Sequence, residues 1–192
     1  MAEVLLFHHV YGLTSGVREF AARIEGAGHV VHLPDLYEGR VFDTFEEGVA
    51  HAGAVGFGTL VERGVAAAGE LPADLVYAGF SLGVLPAQEL ARTRPGARGA
   101  LLFHACAPLP EVGGGWPPHV PVRIHGMADD ALFAGEGDLE AARALVEEAA
   151  DGELFLYPGD RHLFADGGLP AYDEEAAELL TERVLDFLDR VG

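Results

Sequence analysis

The chain has 192 residues, a formal net charge of −19 and one cysteine, Cys106. Acidic residues outnumber basic ones 31 to 12, so a phosphate backbone would be repelled and nucleic acid is not an expected partner. No apolar run approaches the roughly 20 residues that cross a membrane, and no secretory leader pattern precedes the first strand-like segment. A lone cysteine cannot form an internal disulfide. These features predict a cytoplasmic protein without a membrane partner.

Short apolar runs alternate with segments of helical periodicity, which is typical of βα units around a mainly parallel sheet. The pattern predicts a single α/β domain over 1–192, with about six strands and helices on both faces. Gly56 and Gly58 mark a point where one long helical segment could break. The predicted strands are 4–9, 29–34, 75–80, 99–105, 120–126 and 153–159, and the predicted helices lie near 15–27, 45–69, 82–93, 138–150 and 172–190.

The segment 106–121, "CAPLPEVGGGWPPHVP", is too rich in glycine and proline to form a helix. It therefore joins two predicted strands as a loop. Two interpretations are open: a surface excursion near a functional site, or an ordinary connector.

Polar side chains follow the ends of all six predicted strands. In an open α/β sheet, ligands bind at the carboxyl ends of the strands, so these residues are expected along one edge. They are His8, His9, Asp35, Ser81, His104, Asp129, Asp130, Asp160 and His162.

Ser81 lies in "GFSLG", which has the form G-x-S-x-G between a predicted strand and a predicted helix. Gly79 and Gly83 remove the side chains that would collide in the sharp turn lifting the hydroxyl above the sheet. The N-terminus of the following helix favours negative charge near that hydroxyl. Ser81 is therefore the predicted nucleophile.

A serine hydroxyl needs an adjacent base, and the base needs an orienting acid. On this type of sheet the chain order is serine, acid, histidine, and the sequence supplies it. His162 is the predicted general base. Asp129 is the preferred acid, Asp130 competes with it, and Asp160 is a fallback that could instead cap its turn.

A tetrahedral intermediate also requires preorganised hydrogen-bond donors. The backbone N–H of Leu82, next to the nucleophile, is one predicted donor. The N–H of Val10, after the first strand, is the other. His8 and His9 could equally be a polar strand end.

Aromatic and apolar residues near the strand ends are candidates for the substrate pocket. Cys106 follows a strand but lies on no strand-to-helix turn, so it is interpreted as a pocket-wall or buried thiol. The predicted substrate-binding residues are His9, Tyr37, Phe103, Trp116 and Leu163.

Several segments together resemble the dienelactone hydrolase family of α/β hydrolases. They are "HHVYGL", "HVVHLPDLYEGR", "YAGFSLG", "HGMADD", "YPGDRHLFA" and "AYDEEAAELLTERVLDFL". The resemblance implies a trimmed α/β-hydrolase fold with little or no lid. It implies a nucleophile–acid–histidine triad on Ser81, Asp129 and His162.

The sequence departs from the pattern of that family at three places. Ser81 stands where the best-known members have a cysteine, and His9 stands where they have a glutamate. Asp166 stands where an arginine would bind the substrate carboxylate, and an acidic residue there would repel such a group.

These features predict a serine hydrolase that cleaves small carboxylic esters or lactones through an acyl-enzyme, with uncharged or cationic substrates favoured. A hydrolase-like fold that binds a small ligand without turnover is the alternative. A metal-dependent hydrolase using His8, His9, His104, His119 or His125 lacks any matching ligand spacing. No cofactor is expected, and the oligomeric state is expected to be a monomer or a small homo-oligomer.

Overall fold

The computed structural model describes residues 1–109 and 114–192, so part of the predicted 106–121 loop lies outside the described residues. The prediction of a mostly parallel sheet of about six strands is confirmed, since these residues form one six-stranded sheet. Their order in the sheet is β2-β1-β3-β4-β5-β6, and every neighbouring pair is parallel. The strands are β1 (Glu3–Phe7), β2 (Val30–His32), β3 (Val76–Phe80), β4 (Gly99–Phe103), β5 (Val122–Met127) and β6 (Gly152–Tyr157).

In the described part of the chain, six α-helices connect or follow the strands, and short polar side chains precede three of them. Thr14, Thr44 and Asp173 accept hydrogen bonds from the N–H groups of Val17, Glu47 and Ala176, which would otherwise lack partners in the first helical turn. The helices are α1 (Ser15–Gly26), α2 (Phe45–Val55), α3 (Phe57–Ala67), α4 (Val84–Thr93), α5 (Asp138–Glu148) and α6 (Glu174–Val191).

The predicted helical segment 45–69 is divided in two at Gly56. This residue has φ 92°, a left-handed conformation that glycine adopts without steric penalty. It ends α2 and begins α3. The break is therefore at the first of the two glycines that the sequence marked.

The sheet is covered by helices on both faces, as predicted. Alternate residues of each strand point to opposite faces, so Leu5 packs in one hydrophobic cluster and Leu6 in the other. Helices α1 and α6 supply buried residues to the cluster around Leu6, and α2, α3, α4 and α5 supply the cluster around Leu5. Among the described residues, no helix is long and apolar enough to cross a bilayer.

The strand register brings the functional candidates to one edge of the sheet. Phe80 pairs with Phe103, and Phe103 pairs with His125, so β3, β4 and β5 are aligned near their carboxyl ends. Met127 pairs in turn with Tyr157. The residues that follow β3, β5 and β6 therefore leave the sheet on the same side, where ligands bind in folds of this type.

Candidate active site

Ser81 lies on a sharp turn between β3 and α4, as the G-x-S-x-G pattern predicts. Its φ of 47° is in the left-handed region, which a residue with a side chain adopts at a steric cost. A side chain on Gly79 would collide with the carbonyl of Gly83, and a Cβ on Gly83 would lie 2.5 Å from the carbonyl oxygen of Phe7. Both glycines are therefore required for the backbone to approach itself this closely.

Replacing Gly79 with alanine is expected to lower the free energy of unfolding by about 1–3 kcal/mol, because the new methyl group overlaps fixed backbone. Gly53 in α2 is the matched control, since a Cβ there meets nothing within 4 Å. Gly53→Ala is expected to raise the free energy of unfolding by about 0.5–1 kcal/mol. Urea denaturation of both variants measures the difference, and equal stabilities would contradict this account of the turn.

Three side chains from three different loops form one hydrogen-bonded row. His162 Nε2 lies 3.0 Å from Ser81 Oγ, and His162 Nδ1 lies 2.7 Å from Asp130 Oδ2. The His162 side chain is 14% exposed and that of Asp130 only 1%, so the row runs from the solvent-facing hydroxyl into a buried carboxylate. In this arrangement Nδ1–H donates to Asp130, which leaves Nε2 free to accept the Ser81 proton.

The acid that contacts His162 is Asp130, and the prediction that Asp129 does so is wrong. The N–H of Asp129 donates to the carbonyl of Gly159 at 2.9 Å, so the backbone pairing between β5 and β6 continues past the ends of both strands. The Asp129 side chain is exposed. The next residue turns inward, and the other Asp130 oxygen accepts the N–H of Leu132 at 3.0 Å. Asp160 is also exposed.

The end of β1 lies directly against the Ser81 turn. A Cβ on Gly83 would be 2.7 Å from the carbonyl oxygen of His8, so only a glycine allows this contact. The contact brings the segment His8–Val10 next to the first turn after Ser81, which contains Leu82. Both predicted oxyanion donors are therefore on adjoining backbone, and their donation to a substrate stays a prediction.

All five residues predicted to bind substrate are buried in the structure. His9 and Phe103 have no exposed surface, and Phe103 packs between the rings of Phe20 and Phe80 in the core. Trp116 is 2% exposed and donates from Nε1 to the carbonyl of Val120 at 2.8 Å. Tyr37 and Leu163 are each 1% exposed. Strand-end aromatic residues thus complete the core here rather than forming an open pocket wall.

Asp166 does not face a substrate, contrary to the expectation that it would repel one. It is 1% exposed, and its Oδ2 lies 2.7 Å from His9 Nε2 and 2.6 Å from Thr14 Oγ1. Its Oδ1 accepts the N–H of Gly168 at 2.7 Å. Burial alone would raise the pKa of Asp166, but the hydrogen bonds from His9 and Thr14 outweigh it and hold the pKa below its usual value. Its charge is satisfied inside the protein.

One aromatic residue that was not among the predicted site residues, Phe45, lies near His162, and Tyr11 lies next to Phe45. Phe45, the first residue of α2, has its ring centroid 6.1 Å from that of His162, and Tyr11 is 6.2 Å from Phe45. Both are half-buried and so retain accessible surface. The T-x-x-E capping pattern at Thr44–Glu47 marks the helix start at Phe45 in the sequence. It does not reveal which loop that helix end contacts.

Other titratable groups near this edge are buried. Burial lowers the pKa of His125 to about 3 and holds the pKa of His104 well below its usual value, so both rings are neutral at pH 7. Burial also raises the pKa of the Cys106 thiol, with Asp138 adding to the effect. Cys106 is therefore a buried protonated thiol, which fits one of its two predicted interpretations. Within 1–109 and 114–192, no group of three or more His, Cys, Asp or Glu residues is arranged to hold a metal ion.

Three solved structures illustrate what the fold resembles. A chain named m3DLH has a TM-score of 0.78 and 24% identity, with 99% of this chain and 86% of that chain covered. A dienelactone hydrolase-like promiscuous phosphotriesterase, P91, from metagenomic libraries has a TM-score of 0.74 and 20% identity, with coverage of 100% and 87%. Esterase 2 of Thermogutta terrifontis, phosphoramylated by tabun, has a TM-score of 0.61 and 20% identity, with coverage of 100% and 83%.

Comparison with curated proteins finds no match to this chain. The sequence model of the dienelactone hydrolase family matches residues 1–192. The match spans the whole chain, and the fold agrees with it. The chain therefore belongs to the dienelactone hydrolase family and is an α/β hydrolase.

Proposed function

We propose that the protein is a serine hydrolase that cleaves small carboxylic esters or lactones through an acyl-enzyme intermediate. The observation that carries the proposal is the hydrogen-bonded row Ser81–His162–Asp130, with 3.0 Å and 2.7 Å between its polar atoms. A weak nucleophile, a base within reach of its proton and a buried acid on the other ring nitrogen meet the requirements of this chemistry.

In the acylation step, Ser81 Oγ forms a bond to the carbonyl carbon of the ester while His162 Nε2 takes the hydroxyl proton. The carbonyl oxygen becomes an oxyanion, which the N–H groups of Val10 and Leu82 stabilise. When the carbon–oxygen bond to the alcohol breaks, His162 returns the proton to the departing oxygen. Asp130 keeps Nδ1 protonated and oriented, and it stabilises the imidazolium that forms.

In the deacylation step, water attacks the acyl carbon and gives its proton to His162. The bond between Ser81 Oγ and the acyl carbon then breaks, and the proton returns to Oγ. The acid is released and the enzyme is regenerated. A lactone follows the same steps, except that its alcohol stays attached to the acyl group as a hydroxy acid.

Charge limits the substrates that this site is expected to accept. The net charge of −19 repels anions from the whole surface. The position that the resemblance assigns to a carboxylate-binding arginine is Asp166, which is buried against His9 and Thr14 and so supplies no cation for a substrate carboxylate. Phe45 adds half-buried aromatic surface near His162, and the half-buried ring of Tyr11 lies next to Phe45. We therefore infer that uncharged and cationic esters are better substrates than esters with a free carboxylate.

A panel of esters and lactones of graded chain length tests the proposal. The wild-type protein is expected to hydrolyse at least the short neutral members faster than buffer does. An anionic ester of matched size is expected to have a lower kcat/KM, and 0.5 M salt is expected to reduce that difference because it screens surface charge. A folded protein that binds members of the panel but hydrolyses none would instead support the non-catalytic alternative.

A further inference from the structure

The peptide group between His9 and Val10 is held by hydrogen bonds on its carbonyl side. The carbonyl oxygen of His9 lies 2.8 Å from His8 Nδ1, and it accepts the N–H of Gly12 at 3.0 Å. A trans peptide bond is planar, with its C=O and N–H pointing in opposite directions. Fixing the His9 carbonyl therefore fixes the direction of the Val10 N–H, which is the proposed oxyanion donor.

The hydrogen bonds of His8 define which ring nitrogen carries the proton. The N–H of Leu36 donates to His8 Nε2 at 3.0 Å, so this nitrogen must be unprotonated. Burial lowers the pKa of His8 to about 4, against a smaller raising effect from its bond to His9, and the ring is neutral at pH 7. The proton is therefore on Nδ1, and His8 donates to the His9 carbonyl.

We propose that His8 is a positioning residue for the oxyanion site, acting through the His9–Val10 peptide. The inference rests on the proposed function, because it needs Val10 to be an oxyanion donor. His8 orients the peptide, and it also polarises it, since a carbonyl that accepts hydrogen bonds makes the N–H of the same peptide a stronger donor.

The His9 side chain anchors the same segment from the other direction. Its Nδ1 accepts the N–H of Tyr11 at 3.3 Å, and its Nε2 donates to Asp166 at 2.7 Å. Asp166 is itself fixed by Thr14 and Gly168, and it lies on the loop that carries His162. The buried carboxylate of Asp166 therefore contacts the side chain of His9, next to the His9–Val10 peptide, and belongs to the same loop as the base His162.

A matched pair of substitutions can separate the roles of the two ring nitrogens of His8. In His8→Asn the amide nitrogen can take the place of Nδ1 and still donate to the His9 carbonyl. In His8→Gln the amide oxygen can take the place of Nε2 and accept the Leu36 N–H, but no donor remains for His9. Both side chains are neutral amides. Both leave some space against the ring of Tyr37, whose centroid lies 4.9 Å from that of the His8 ring in the wild type.

The measurement compares a neutral ester with its thionoester, in which sulfur replaces the carbonyl oxygen. Aligned oxyanion donors favour oxygen, so the ratio of kcat/KM between the two substrates reports on that alignment. His8→Gln is expected to lower kcat for the oxygen ester by about 100-fold with little change in KM, as a displaced catalytic group does. Its oxygen-to-sulfur ratio is expected to fall, and His8→Asn is expected to keep both values near wild type.

A wild-type ratio in a folded His8→Gln variant would overturn the inference, and so would equal losses in the two variants. Urea denaturation reports folding. If His8→Gln does not fold, nitrogen-15 NMR of the His8 ring in the wild-type protein tests the same bond, and a proton on Nε2 rather than Nδ1 would overturn the inference. Failure of the proposed function is a different result, because the wild-type protein would then hydrolyse neither substrate.

Discussion

Replacing Ser81 with alanine is expected to lower kcat for a neutral ester by about 10⁶-fold, the loss typical of removing a triad nucleophile. The substitution removes the hydroxyl group that His162 Nε2 is placed to deprotonate, 3.0 Å away. Binding surfaces and oxyanion donors remain, so KM is expected to change little. Steady-state hydrolysis of a chromogenic ester by purified wild-type and variant proteins measures the effect.

The chain offers a matched control, because it contains one other serine, Ser15. Ser15 is exposed at the start of α1, and Ser15→Ala is expected to leave kcat within about twofold of wild type, as surface substitutions usually do. Hydrolysis by Ser81→Ala at the wild-type rate would show that another group is the nucleophile.

Asp130→Asn is expected to lower kcat by about 10⁴-fold, because an amide allows the imidazole to adopt the tautomer that cannot take the Ser81 proton. Asp129→Asn is the control at the neighbouring position. Its side chain is exposed and belongs to no hydrogen bond with His162, so we expect kcat within about twofold of wild type. Steady-state assays of the two variants, run side by side, measure the contribution of each carboxylate to kcat.

The account would be contradicted if Asp129→Asn lost the activity and Asp130→Asn kept it. Asp130 is buried, so its replacement could also affect folding. Urea denaturation of both variants distinguishes the two causes. A folded Asp130→Asn protein with low kcat and unchanged KM is the expected result.

Much of the fold follows from local patterns in the sequence. The six strands are short apolar runs bounded by glycine, proline or polar residues, and the helices between them have apolar residues at helical spacing. Parallel pairing then places the residues after β3, β5 and β6 on one edge. The positions of Ser81 and His162 at that edge could be predicted because Ser81 follows β3 directly and His162 lies in the loop that follows β6.

The choice between Asp129 and Asp130 could not be made in this way. Successive residues of an extended chain point to opposite sides, so a shift of one residue in the strand end reverses which carboxylate faces His162. β5 extends to Met127, and the Asp129 N–H still bonds to Gly159 beyond it. Only this tertiary contact decides the direction of the two side chains.

The pocket residues could not be predicted because burial depends on what packs over a strand end. Phe103 and Trp116 are residue types that often line pockets. Phe103, however, packs against Phe20 of α1, and the buried Trp116 donates a hydrogen bond to the carbonyl of Val120. Phe45 is far from His162 in the chain. The two rings are close because of how α2 packs, which no local pattern encodes.

Covalent labelling tests whether Ser81 is the nucleophile. A fluorophosphonate reacts with an activated serine hydroxyl, forming an oxygen–phosphorus bond and releasing fluoride. Intact-mass measurement is expected to find one adduct per chain on the wild type, located on Ser81 by peptide mapping, and none on Ser81→Ala. A folded wild-type protein that stays unlabelled, or a Ser81→Ala variant that is labelled equally, would contradict the account.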